Sequence, residues 1–109
     1  VFSDGYIYGV HGRHESEAEI RCLNFDSGEL AWRSPRGLGR ATLLMAQNHL
    51  IVLGERGDLA LVVVSPQSYI EKKRIRGVMK YPAWSPPVLA NGLLYLRDET
   101  QVMCLDLRR

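Results

Sequence analysis

The chain has 109 residues, 46% of them hydrophobic and 24% charged, with a formal net charge of +2. That is one small domain, or part of a larger one, with enough apolar residues for a packed core and too little net charge to imply a nucleic-acid partner by itself. No apolar run approaches the roughly 18–20 residues of a membrane-spanning helix, no charged-then-apolar leader opens the sequence, and Cys22 and Cys104 alone make no disulfide framework.

Val1 to Asp4 leads into Gly5-Tyr6-Ile7-Tyr8-Gly9-Val10, an aromatic and β-branched run that reads as a strand. His11 to Glu17 is polar and reads as a connecting loop. Glu19 to Phe25 alternates polar and apolar residues, as a half-buried strand does. Asp26-Ser27-Gly28 is a turn, because Asp and Ser can bond their own backbone and Gly tolerates positive φ. Glu29 to Arg33 is the next strand and carries Trp32. Ser34 to Arg40 reads as a loop, and Ala41 to Ala46 is apolar up to a break at Gln47-Asn48-His49. Leu50 to Leu53 is a strand, Glu55-Arg56-Gly57-Asp58 a hairpin turn, and Leu59 to Val64 a continuous apolar run that suggests a strand buried on both faces. Ser65 to Ser68 turns the chain into a more polar strand, Tyr69 to Ile75. Arg76 to Pro82 is a loop, and Pro86-Pro87 excludes helix. Val88-Leu89-Ala90, the Asn91-Gly92 turn, Leu93 to Leu96, a turn at Arg97 to Thr100 and Val102 to Leu107 complete the order.

Three segments repeat. Gly5-Tyr6-Ile7-Tyr8, His49-Leu50-Ile51-Val52 and Gly92-Leu93-Leu94-Tyr95 align at a spacing of about 43–44 residues. Ile20 to Phe25, Leu59 to Val64 and Val102 to Leu107 form a second matching set. The gap between the sets is equal in the second and third copies and about five residues longer in the first, where the surplus falls in the charged His11–Glu19 region. Four short strands per period of this length are the signature of a β-propeller blade. The expected fold is all-β, a partial propeller of about two and a half four-stranded antiparallel blades. Residues 1–40 form a partial blade with the last three strands, 41–80 a complete blade, and 81–109 a partial blade with the first three strands. Some ten strands do not close a ring of 4–8 blades, so the natural partners are the remaining blades of a larger propeller.

Cys22-Leu23-Asn24-Phe25-Asp26-Ser27-Gly28, three residues and then Trp32, resembles the pyrroloquinoline-quinone (PQQ)-like propeller repeat, whose motif runs Ala-Leu-Asp-x-x-Thr-Gly-x-x-x-Trp. Ser27 stands for the Thr and Asn24 for the Asp. Cys104-Leu105-Asp106 restarts the motif, and Leu61 to Ser68 keeps the strand without the turn residues or the Trp. Ser85 to Tyr95, with Pro86-Pro87-Val88 and Gly92, is similar to the family's lead into an inner strand. The resemblance implies structural roles for Cys22, Asn24, Ser27, Gly28, Trp32, Gly92, Cys104 and Asp106. It implies a non-catalytic scaffold or protein-binding module, as in the propeller lipoprotein of the outer-membrane barrel assembly machine, working outside the cytoplasm. The alternative it implies is a segment of a quinoprotein alcohol dehydrogenase holding PQQ and calcium. The paired cysteines and acidic calcium cluster of such enzymes are not in this sequence, so no cofactor is expected in this segment.

Other chemistry is sparse. Cys22 and Cys104 lie a full blade apart, beyond the reach of a disulfide of about 7 Å, and read as buried, inert thiols. His11, His14 and His49 lack the companions of a metal site and read as solvated loop residues. Arg33, Arg36 and Arg40, and Lys72, Lys73, Arg74, Arg76 and Lys80, could make a basic surface. The second group lies on an outer strand, where charge protects an edge, and without interleaved aromatics neither implies nucleic acid. Tyr81 and Trp84 flank the Pro-rich segment before an inner strand. They are the best candidate surface for a protein partner, set against simple packing on the next blade.

Overall fold

The computed structural model describes residues 1–12, 17–35 and 38–107, and these form three antiparallel sheets with no α-helix. The first sheet runs β1 (Phe2–Ser3), β2 (Tyr6–His11), β3 (Glu19–Asn24) and β4 (Leu30–Arg33). The second is β5 (Ala41–Ala46), β6 (His49–Gly54), β7 (Leu59–Val63) and β8 (Glu71–Ile75), and the third is β9 (Val88–Ala90), β10 (Leu93–Arg97) and β11 (Val102–Asp106). Each sheet is a meander in chain order, and none closes on itself. The fold is all-β and fits a partial propeller-like β domain, with two four-stranded sheets and one of three strands.

The first sheet corrects the three-strand expectation. Phe2 and Ser3 pair with Ile7 and Tyr6, giving a short fourth strand. The pairing is extended by Val1, whose carbonyl accepts from Tyr8 N at 2.7 Å. Asp4 and Gly5, at φ 51° and 85°, make the connecting turn, the positive-φ pair that a two-residue hairpin of type I′ demands.

The same turn sits in every sheet: Gln47-Asn48 at φ 50° and 61°, and Asn91-Gly92 at 53° and 77°. It sets the true repeat register. Phe25 N donates to Gly5 O, Val64 N to Asn48 O and Leu107 N to Gly92 O, each at 2.9 Å. Asn48 therefore takes the glycine position, and His49 lies one residue further on. The aligned set with His49 opposite Gly5 is off by one, and the connections in the second and third copies are not of equal length. Asn is the one non-glycine residue besides Asp that visits the left-handed region readily, which is why no glycine marks this turn.

The sheets stack front to back. Strand alternation sends Tyr8, Ile20, Cys22 and Trp32 forward onto Leu50, Val52, Ala60 and Val62 of the second sheet. Ile51, Leu53 and Leu59 leave the other face of that sheet and meet Leu94 and Leu96 of the third. β6 is therefore buried on both sides. Trp32 is the wedge of the first interface. It is 8% exposed, its ring lies 6.0 Å from Tyr8 and 5.4 Å from Tyr69, and its indole N–H donates to Ser65 O at 2.6 Å. A buried indole needs that partner.

Two local devices hold the geometry. Asn24 Oδ1 accepts from Asp26 N at 3.0 Å and Ser27 N at 3.1 Å, so the side chain that shapes the β3–β4 turn is Asn24 rather than Asp26. Ser27 Oγ accepts from Glu29 N at 3.2 Å, and Gly28 sits at φ 74°. At the β6–β7 turn, Gly57 has φ 97°, and a Cβ there would run into the Met79 carbonyl.

Trp32→Ala is expected to cost about 3–5 kcal/mol, measured by urea denaturation. Gly28→Ala, with open space around its Cβ, should cost only the left-handed penalty of about 1–2 kcal/mol. Gly57→Ala should cost distinctly more, because it also displaces the backbone of the segment that follows β8.

Candidate functional site

The segment between β8 and β9 is tied down on both sides. Met79 N donates to Gly57 O at 3.1 Å, Gly77 N to Asp58 Oδ1 at 2.9 Å and Ala83 N to Glu55 O at 2.8 Å, all at the β6–β7 turn. Lys80 N donates to Asp98 Oδ2 at 2.9 Å, in the β10–β11 turn. Met79 and Ala83 are buried between the second and third sheets. Tyr81 and Trp84, between and beyond these anchors, point outward, and each is 55% exposed.

Each aromatic carries a guanidinium from the second sheet. Arg40 lies over Trp84 at 5.8 Å and Arg56 over Tyr81 at 5.4 Å, while the two rings meet edge to face at 6.5 Å. Beneath them is Glu55, fully buried. Its Oε2 takes Arg40 Nε at 2.7 Å and Trp84 Nε1 at 3.1 Å. Glu55 Oε1 and Thr42 Oγ1 are buried without hydrogen-bond partners. The pairing follows from the β5–β6 register: Ala41 opposes Gly54, so Arg40 and Glu55 are the next cross-strand pair, and Glu55 N donates to Arg40 O at 2.7 Å. Glu55 therefore fixes Arg40 and Trp84 at once.

Asp98 anchors the neighbouring turn. Its carboxylate accepts from the backbone N–H groups of Lys80, Thr100 and Gln101. Those bonds, the one from Lys80 foremost, hold its carboxyl well below the usual carboxylate range.

The other candidates separate. Cys22 is buried, and burial pushes its thiol up, so it is a poor nucleophile. Cys104, expected to be buried as well, is exposed. It occupies the same forward-facing place as Cys22, opposite Tyr95 as Cys22 is opposite Tyr8, but the third sheet's front is not covered. Asp106 matches Asn24 at the strand end. His49 contacts the Gln47 carbonyl at 2.7 Å and Lys72 at 3.4 Å. His14 and Arg36 lie outside the described residues. Among the described residues no group of three His, Cys, Asp or Glu side chains could hold a metal. In the basic stretch, Arg74 pairs with Glu71 at 2.6 Å and Arg76 with Asp58 at 3.6 Å. The bond from Arg74 lowers the Glu71 pKa, and burial raises that of Tyr69, which donates to Glu71.

What remains is a rigid outward patch of two aromatics and two arginines, the side chains that dominate binding energy at protein interfaces. Tyr81 and Trp84 were legible from sequence. Arg40, Arg56 and Glu55 were not, although the symmetry of β5 and β6 about Gln47-Asn48 gives the Arg40–Glu55 pairing once that turn is recognised. The chain matches no protein-family model, and no curated protein is significantly similar to it.

Arg40→Met should destabilise by about 3 kcal/mol, the low end for stranding a buried carboxylate, because Arg40 itself is half exposed. Adding Glu55→Leu should recover most of that in urea melts, since both polar partners are then gone. Asp98→Asn should be less stable than the parent at neutral pH. Because the folded carboxyl titrates below its ordinary value of about 3.9, the stabilisation is complete above that pH and drains away as pH falls from there toward the depressed value. The gap between the two proteins should close over that acid window.

Proposed function

We propose that the chain is a non-catalytic scaffold of PQQ-like blades whose Tyr81–Trp84 patch docks a protein partner. The observation that carries the reading is the pinned segment: two large aromatics stay more than half exposed although the residues beside them, Met79, Lys80 and Ala83, are bonded through their backbone N–H groups to the neighbouring turns. Rings held in this way lose little freedom on binding, so their buried area converts efficiently into affinity. The Arg40 and Arg56 guanidinia over the rings add donors for a partner's carbonyls or carboxylates. The front-to-back sheets and the Trp32 wedge support the blade reading, since a blade lacks a complete core without its neighbours.

A photo-crosslinking residue at position 81, in the protein in its native host, is expected to yield one discrete adduct that Trp84→Ala abolishes. The same residue at exposed Glu99 should yield none. Equal labelling from both positions, or none from position 81, would sink the proposal. Mixing the protein with PQQ and calcium should give no dye reduction. Turnover there would instead favour the quinoprotein dehydrogenase reading.

A further inference from the structure

We infer that Asn91 is a site of self-modification, where the Gly92 amide nitrogen attacks the Asn91 carboxamide and water opens the product to aspartate or isoaspartate. The chain has three asparagines, Asn24, Asn48 and Asn91. They differ in what holds the nitrogen that would attack. After Asn24, Phe25 N donates to Gly5 O at 2.9 Å, and Asn24 Oδ1 is itself held by Asp26 N and Ser27 N. Asn48 is the second residue of its two-residue turn, so the next nitrogen, that of His49, closes the turn onto Ala46. Asn91 is instead the first residue of its turn, between Ala90 and Leu93. The nitrogen after it belongs to Gly92, inside the turn, and no bond among the described residues holds it.

Gly92 also brings no Cβ to obstruct the approach. Asn91 is exposed, so water can enter and ammonia can leave. That exposure belongs to the position in the fold: Asn48, in the equivalent turn of the second sheet, is exposed with a sheet packed on either side. The pairing behind the turn is short, since β9 has three residues where β5 has six. Fraying of so short a strand lets the Asn91 side chain swing over the Gly92 nitrogen.

The step needs only water. The Gly92 nitrogen bonds to Asn91 Cγ and gives up its proton. The Cγ–Nδ2 bond breaks, and Nδ2 leaves with that proton as ammonia. Water then cleaves one of the two imide C–N bonds. Cleavage at Cγ leaves aspartate, and cleavage at the Asn91 main-chain carbonyl leaves isoaspartate.

The products differ in what the fold tolerates. Asp4-Gly5 already makes this turn in the first sheet, at φ 51° and 85° against 53° and 77° for Asn91-Gly92. Aspartate therefore keeps the hairpin and adds one negative charge. Isoaspartate inserts a methylene into the main chain, which lengthens a two-residue turn and breaks the Ala90–Leu93 closure. This chemistry is independent of partner docking at Tyr81 and Trp84.

The test incubates the folded 109-residue chain in neutral and in mildly alkaline heavy-oxygen water. Peptide mapping by mass spectrometry, with fragmentation that separates isoaspartate from aspartate, follows each asparagine over days. Heavy oxygen is expected at residue 91, and sooner in the alkaline sample, because the attacking nitrogen must lose its proton. Its rate should exceed those at Asn24 and Asn48 by about tenfold or more, a barrier lower by about 1.4 kcal/mol. An Asn91→Asp chain should keep the parent's slow amide exchange at Leu93. Equal rates at the three asparagines, or conversion of residue 91 only once urea has unfolded the chain, overturns the inference. Fast Leu93 exchange in the Asn91→Asp chain overturns the claim that the aspartate form keeps the hairpin.

Discussion

The structure rests on one packing rule: each sheet must cover the face of the sheet before it. Period-two alternation gives every strand two faces, and in the second sheet both are apolar. Leu50 and Val52 go to one side and Ile51 and Leu53 to the other. No single sheet here has a core of its own. Trp32 sharpens the rule, because it reaches across from the outermost strand of one sheet and is bonded to the backbone of the next. Remove the neighbour, and a large ring, a buried thiol and an indole donor all face water together.

The candidate site is a by-product of this stacking. Two consecutive sheets need a connection, and the chain from Arg76 to Pro87 crosses the top of the second interface. Gly57 lets it approach closely, and Asp58 and Asp98 fix it from opposite sides. Met79 and Ala83 point in and close the core; the residues between and after them must point out. The exposure of Tyr81 and Trp84 is thus set by the same bonds that hold the sheets together. The buried Glu55 converts that placement into a defined ring orientation.

The strands and their all-β arrangement were legible because alternation, apolar runs and turn residues agreed. Trp32 was legible as an interface residue because so large a side chain on a four-residue strand has nowhere else to go. The middle register was not, since Gln47-Asn48 adopts a turn that sequence usually announces with glycine. The turn at Asp26-Ser27-Gly28 and a structural role for Asn24 were legible, but not that Asn24 rather than Asp26 supplies the turn's side-chain bonds. Both are turn formers, and only the strand end decides that Asn24 Oδ1 reaches forward to Asp26 N and Ser27 N. In the sequence Arg40 reads as a loop residue of a candidate basic surface and Glu55 as part of a hairpin turn. The burial of Glu55 depends on a segment more than 20 residues later in the sequence, folding down over it. Cys104 was misjudged by extending the surroundings of Cys22 to a sheet whose front is open.

Each sheet is made from one unbroken stretch of chain, with no strand lent to another. During translation, therefore, the first sheet can form as soon as Arg33 has cleared the ribosome. Its forward face, Trp32 included, must then wait for about 40 more residues before its cover exists, roughly 2–8 seconds at ordinary rates of synthesis. For that interval the nascent protein carries an uncovered apolar face, and the order of its segments decides how long that exposure lasts.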